Sequence, residues 1–280
     1  MTVEIRVIDS GRLGNRILIR AQAERIASLV GGDVYQQAFA DFGIPRTQRS
    51  WASRLRDVGR RPTLRLTGHQ IDDEELKAFA KANPSGRIET SAMGFNIDQI
   101  LPLREKLVSR FRVPNPTDTD AALFKGRVTC HIRGEDVFGS DGVVHPDYPP
   151  VPISYLQQVE KMSRRPFAFV GQWADSEQYL QLLRASFPSA TFIDRGSALR
   201  DFSLLVHAEA LALSVSTFAW TAALLRGPKQ FTWMPTLGLF NPDQRADISA
   251  VLPWSSCVGF PRFEWRGYLS EEWISLKPQR

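Results

Sequence analysis

The chain has 280 residues, 43% of them hydrophobic and 23% charged, a composition that excludes a disordered chain and supplies apolar material for one or two cores. The net charge is +5 and the pI is about 9.4, a modest basic excess that favours an acidic partner: nucleic acid, an anionic membrane face or a phosphate-bearing small molecule. Two cysteines, Cys130 and Cys257, show no CxxC spacing, so they build no zinc cluster alone and call for no oxidising compartment.

The N-terminal stretch carries no long apolar core of the signal-peptide kind, and no segment reaches the roughly 18 apolar residues of a spanning helix. The expectation is a cytoplasmic protein, with peripheral attachment to a membrane surface left open. Residues 3–8 alternate as a strand. Gly11-Arg12-Leu13-Gly14-Asn15 follows as a tight turn, and 16–30 reads as a helix stopped by Gly31-Gly32. A strand begins at Asp33. Residues 45–65 are basic and irregular, and a helix fits 72–82, with acids at its start and Asn83-Pro84 at its end. Residues 97–112 read as one helix. Periodicity then breaks over 113–120, which reads as a linker between two domains, 1–116 and 117–280.

The second half alternates more regularly. Strands fit 126–132, 167–171, 190–193, 210–213 and 230–234. Helices fit 154–162, 175–187, 201–209 and 217–225. Strand after helix after strand predicts an α/β fold with parallel, doubly wound sheets. The tail over 240–280 is rich in Trp, Phe and Pro and gives no clear element.

In such sheets ligands sit beyond the carboxyl ends of the strands, and three segments fall there. Gly11–Asn15 lets backbone approach a ligand and opens a helix whose free N–H groups suit an anion, while a plain turn capped by Asn15 is the structural alternative and, for this short pattern alone, the preferred one. Cys130-His131-Ile132-Arg133-Gly134-Glu135-Asp136 puts a His, an Arg and two carboxylates where a buried strand emerges. A planar guanidinium suits pyrophosphate, while an internal Arg133–Asp136 bridge is the structural alternative. Ser214-Val215-Ser216-Thr217-Phe218 begins a helix, where hydroxyls cap and N–H groups hold phosphate.

These three segments, in this order, resemble the fucosyltransferase superfamily, especially its α-1,2-fucosyltransferase-like members. The family's G-G-L-G-N-Q motif is matched by Gly11-Arg12-Leu13-Gly14-Asn15-Arg16. Its H-x-R-R-G-D motif is matched by His131-Ile132-Arg133-Gly134-Glu135-Asp136. Its S-N-S-T-F-S-W-W-A-A motif is matched by Ser214 through Ala223. The similarity spans about residues 3–226, and Gly134 stands where the family has a second arginine. His145-Pro146-Asp147-Tyr148-Pro149-Pro150 is similar to a loop of a less characterised branch.

The resemblance implies a GT-B-like fold, two Rossmann-like domains facing a cleft, with the tail returning to the first domain. It implies a metal-independent transferase with no cofactor, a nucleotide-sugar donor (a GDP-sugar favoured, with fucose from GDP-fucose as the family donor) and a glycan or glycoconjugate acceptor. Arg133 is implied at the donor diphosphate, with His131 at the nucleotide or bracing that loop. Ser214, Ser216, Thr217 and Phe218 are implied at the donor, and Gly14 and Asn15 face it from the first domain. By sequence, Glu135 and Asp136 are the nearest general-base candidates, with holding Arg133 as the other role. Two rivals remain. One is a non-catalytic nucleotide-sugar-binding or polysaccharide-assembly protein on the same fold, which Gly134 favours. The other is a nucleic-acid binder, which no recognisable motif supports.

Overall fold

The computed structural model describes residues 2–47, 61–133, 147–171, 177–194, 196–229 and 231–259. The chain divides into two compact units, Met1–Arg112 and Val113–Arg280. Each carries an all-parallel sheet flanked by helices, so the expected α/β class with two Rossmann-like halves is the observed architecture.

The first unit is built on β1 (Glu4–Val7), β2 (Asp33–Tyr35), β3 (Thr63–Leu66) and β4 (Arg87–Thr90), in the order β2-β1-β4-β3. Helix α1 (Leu13–Val30) starts three residues earlier than the sequence reading placed it, and Arg12 at its N-cap makes no side-chain cap. The glycine at 14 and the absence of a capping side chain hide the start; packing of Leu13 and Ile17 into the core decides it. The helix ends at Gly31, whose left-handed backbone lets its N–H reach the Ala27 carbonyl. Ile19, Ala23 and Ile26 of α1 pack with Val3, Ile5, Val7 and Ile88. Helix α2 (Asp73–Ala82) is capped by Asp72, which accepts from the N–H groups of Glu74 and Glu75.

Successive strand side chains point to opposite faces. The second face of this sheet carries ions instead of apolar groups. Glu4, only 3% exposed, lies 3.3 Å from Arg87 and 3.6 Å from Arg6 and Arg61. Glu89 faces Arg6 at 3.8 Å and Arg65 at 3.3 Å. Strand β3 arises inside the stretch that reads as irregular, because Thr63-Leu64-Arg65-Leu66 alternates with charge on this polar face. The expected single helix over 97–112 is broken into α3 (Ile97–Ile100), a 3₁₀ turn (Leu101–Leu103) and α4 (Arg104–Arg110). Pro102 has no N–H to donate and tightens the chain there.

In the second unit, the last three residues of the stretch read as linker, 118–120, form the first turn of α5 (Asp118–Phe124). Thr117 caps it by accepting from the Asp120 N–H, and Asp118 and Asp120 occupy the first turn. Thr and Asp serve both breaks and caps, so the residues before the helix do not mark where it begins. The remaining helices are α6 (Ile153–Ser163), α7 (Glu177–Ser186), α8 (Ala198–His207) and α9 (Thr217–Arg226). The strands are β5 (Val128–Ile132), β6 (Phe167–Gly171), β7 (Thr191–Asp194), β8 (Ala210–Ala212), β9 (Thr232–Thr236) and β10 (Ser256–Gly259). Their order is β10-β9-β8-β5-β6-β7. Strand β10 lies in the tail that gives no clear sequence signal.

The central strands are buried on both faces: Val128, Thr129 and Cys130 are wholly inaccessible, as are Phe167 through Val170. Burial pushes the Cys130 thiol far up, so it stays protonated. At the end of α9, Arg226 is 4% exposed. Its guanidinium donates to the Ala208 carbonyl at 2.9 Å, the Glu209 carbonyl at 2.6 Å and the Thr232 hydroxyl at 2.6 Å. Burial lowers its pKa to about 10. The side chain thus ties α9 to the α8–β8 junction and to β9. Arg226→Ala leaves these acceptors without their donor, and the loss of stability is expected at roughly 2–4 kcal/mol. Urea unfolding measures it, and a change under about 0.5 kcal/mol, typical of a surface substitution, contradicts the clamp.

Candidate functional site

The strongest constellation is at the carboxyl edge of the second unit's sheet. His131 is the penultimate residue of β5, and its ring lies 4.7 Å from that of Phe218, tilted by 42°. Phe218 in turn meets Phe202 of α8 edge-on at 5.2 Å. A chain of rings therefore joins the end of β5 to the first turn of α9 and to α8.

Arg133 follows β5 directly. Its guanidinium carbon sits 4.7 Å from the centre of the Tyr148 ring, a cation–π arrangement that orients the planar fork. The segment holding Tyr148 is anchored on both sides. Arg245 donates to Asp147 at 2.5 Å and to Asp247 at 2.7 and 2.8 Å. The Leu239 N–H donates to the Asp147 carbonyl at 2.8 Å. Gly238 is left-handed at φ 55°, and a Cβ there would come within 2.7 Å of that carbonyl, so glycine is required. Burial raises the Tyr148 phenol pKa while the Arg133 charge opposes the shift; the ring stays neutral. Arg245 is held more firmly protonated by its hydrogen bonds to Asp247 and Asp147, against the opposing effect of burial.

The Ser214–Phe218 turn meets this edge from β8. Ser214, Ser216 and Thr217 are all buried. The Ser216 hydroxyl accepts from the Ala219 N–H at 3.1 Å and lies 3.1 Å from the Ser214 hydroxyl. It is the N-cap of α9. A small gap of about 10 Å³, room for about one water, is lined by Arg133, Ile132, Pro149, Tyr179 and Ser214. It is far too small for a nucleotide, yet it brings the Arg133 and Ser214 segments side by side. The Tyr179 hydroxyl closes its floor by donating to the Val151 carbonyl at 2.6 Å.

In the first unit, Gly14 and Asn15 lie within the first turn of α1. Gly11 has φ 70°, and a Cβ there would come within 2.4 Å of Asn15 Nδ2. The neighbouring carboxylate is Asp9, just past β1. Arg20 grips it with both terminal nitrogens, one at 2.8 Å, and Arg16 approaches it at 3.7 Å. The guanidinium carbons of Arg16 and Arg20 lie 4.2 and 4.3 Å from the Phe39 ring centre. Arg20, 1% exposed, escaped the sequence reading. The available signal was a lone cation inside the apolar run from Ile17 to Ala23.

Glu135, Asp136, Gly134 and His145 lie outside the described residues. Asp120 is bound in two places by Arg200, at 3.1 and 2.5 Å, and this partner holds its carboxyl below the usual range. Among the described residues no group of three or more His, Cys, Asp or Glu is placed to hold a metal, and no helix is long and apolar enough to cross a membrane.

No family model and no curated protein matches the chain. Among solved structures it is similar to a mutant of Arabidopsis thaliana FUT1 in complex with GDP, at 14% identity over 83% of this chain and 70% of that one, TM-score 0.47. It is similar to POFUT1 in complex with GDP-fucose at 10% identity, over 83% and 97% of the two chains, TM-score 0.47. A family 9 glycosyl transferase from Veillonella parvula aligns at 9% identity over 94% and 88%, TM-score 0.48.

The cap geometry makes its own prediction. Ser216→Ala removes the acceptor of the Ala219 N–H and is expected to destabilise the protein by about 1 kcal/mol, with Ser216→Thr recovering part of it. Thermal unfolding reads the effect, and an unchanged melting temperature in the alanine variant would mean the hydroxyl is not holding the helix.

Proposed function

We propose that the chain is a metal-independent glycosyltransferase that takes a nucleotide-sugar donor, a GDP-sugar in the first place and GDP-fucose among these, and moves the sugar to a hydroxyl of a glycan or glycoconjugate. The observation that supports this most is Arg133. It leaves a fully buried strand, is backed by an anchored aromatic ring, and lies beside a helix start whose N–H groups face the same edge. Such an edge suits a diphosphate. In the transfer, the bond from the anomeric carbon to the diphosphate breaks, the sugar passes through an oxocarbenium-like state, and the acceptor oxygen forms the new bond as it loses its proton. Negative charge grows on the leaving diphosphate, and a fixed guanidinium with a helix N-terminus stabilises it without reorganising.

In this reading His131 braces the loop through Phe218, and Ser214, Ser216 and Thr217 shape the helix start under the phosphates. Glu135 and Asp136 are the candidates for the acceptor's base. Gly134 favours one second reading, a binding protein on the same fold that holds a nucleotide sugar without turning it over; product formation with an acceptor separates the two.

Arg133→Ala is expected to melt like the parent, to bind GDP weakly and to transfer sugar about a hundred- to a thousandfold more slowly. Arg133→Lys keeps the charge but loses the fork, and recovers only part of the activity. Calorimetry with GDP and a melting curve on the same variant decide the matter: intact GDP affinity with a lowered melting temperature would assign Arg133 to an internal bridge instead. Transfer is expected to survive EDTA. Full loss with rescue by Mn²⁺ would overturn the metal-independent part of the reading.

A further inference from the structure

Two non-glycine residues of the described chain hold left-handed backbone, Arg164 at φ 54° and Phe231 at φ 63°. Both stand at the amino edge of the second unit's sheet. Arg164 closes α6 ahead of β6, and Phe231 directly precedes β9. Left-handed backbone is unfavourable for a side chain this bulky, and such strain persists where the surroundings or a function demand it.

The Phe231 ring is 46% exposed and Met162, at the end of α6, is 47% exposed. The exposure is built in. Phe231 stacks on Trp233 at 5.9 Å with an 18° tilt, and the Arg165 guanidinium carbon lies 5.2 Å from its centre. Arg165 is itself held by Glu209 at 3.2 Å.

All strands of this sheet are parallel, so strand starts and the preceding helix ends share one edge. Among the described residues they bring Lys125, Arg127, Lys161, Arg164, Arg165 and Lys229 there, besides Arg184 at the end of α7 and the buried Arg226 at the end of α9. The carboxylates on the same edge are Glu160 and Glu209, and Glu209 is occupied by Arg165. Lys161, Arg164 and Lys229 are exposed. Cations suit helix C-terminal ends on their own account. That explains neither the exposed Phe231 nor the exposed Met162 on the same edge.

We propose that this edge docks on an anionic lipid bilayer, with Phe231 and Met162 entering the headgroup layer and the cations meeting lipid phosphates. Apolar groups that insert beside cations that attract are the two halves of interfacial binding. A nucleic acid would use the cations but not Met162. The surface is at the opposite edge of the sheet from Arg133, and the inference does not rest on the donor reading.

The test is co-sedimentation of the full chain with vesicles of phosphatidylcholine alone and with about one third phosphatidylglycerol. Binding is expected to the anionic vesicles only and to weaken with salt. Phe231→Asn puts a residue that accepts left-handed backbone at this position. It is expected to melt at or above the parent temperature while vesicle affinity falls about tenfold. Lys161→Gln and Lys229→Gln are each expected to weaken binding about fivefold, and they keep the test open should the Phe231 variant fold poorly. No vesicle binding, equal binding to both vesicles, or parental binding by a folded Phe231→Asn would each overturn the proposal. So would tighter binding to duplex DNA than to the anionic vesicles.

Discussion

A parallel strand covered on both faces can carry charge only at its ends, and β5 is such a strand. Thr129 and Cys130 point to opposite faces and neither reaches solvent. A guanidinium anywhere from 128 to 130 would lose its hydration without a partner, a cost of several kcal/mol. The sequence accordingly stays uncharged through Ile132 and turns charged at Arg133. The same constraint fixes the rest of the edge. His131, half-buried, is tolerated because its ring packs on Phe218. The helix that Phe218 belongs to starts where β8 leaves the core. Burial of one strand thus determines where an arginine, an imidazole and a helix start come together.

The first unit solves the same topological problem differently. One face of its sheet is apolar against α1, and the other is a ladder of alternating charge around Glu4 and Glu89. Glu4 is nearly inaccessible and depends on several arginines at once, so its charge is compensated by a network instead of one bond. Its carboxyl edge is compensated too, since Arg20 and Arg16 converge on Asp9. An anion arriving there meets cations already facing a carboxylate. In the second unit the arginine at the strand end has an aromatic ring against it, which orients the guanidinium plane.

How much of this could be read beforehand follows from how local each signal is. The strand–helix alternation of the second unit, the acidic start of α2 and the hydroxyl-capped start of α9 are written in neighbouring residues, and they were legible. The pairing of Arg133 with Tyr148 was not, because it depends on Arg245 reaching Asp147 from 98 positions away. Strand β3 was hidden because its alternation places arginine where a half-buried strand ordinarily places a solvated residue, and its neighbours are basic as well. Pro102 was underweighted, since one proline inside a convincing apolar period breaks a helix without erasing the pattern. The start of α5 was lost for the opposite reason: Thr and Asp serve both caps and breaks, and only the helix that follows tells them apart.

The two edges of the second sheet differ in a way that topology imposes. Every flanking helix that follows a strand presents its N-terminus at the carboxyl edge, where partial positive charge already favours anions. Few side-chain cations are needed there for the edge to favour an anion. The amino edge receives the helix C-termini and starts with partial negative charge. About half a unit charge per helix end must be offset before that edge attracts any anion. Five helices end at it, α5 through α9, so roughly two or three positive charges suffice for capping alone. Among the described residues the cations there, eight with Arg184 and Arg226, against Glu160 and Glu209 exceed that need. The surplus therefore calls for a partner outside the fold, and the solvent-facing Phe231 and Met162 mark that partner as one with an apolar interior.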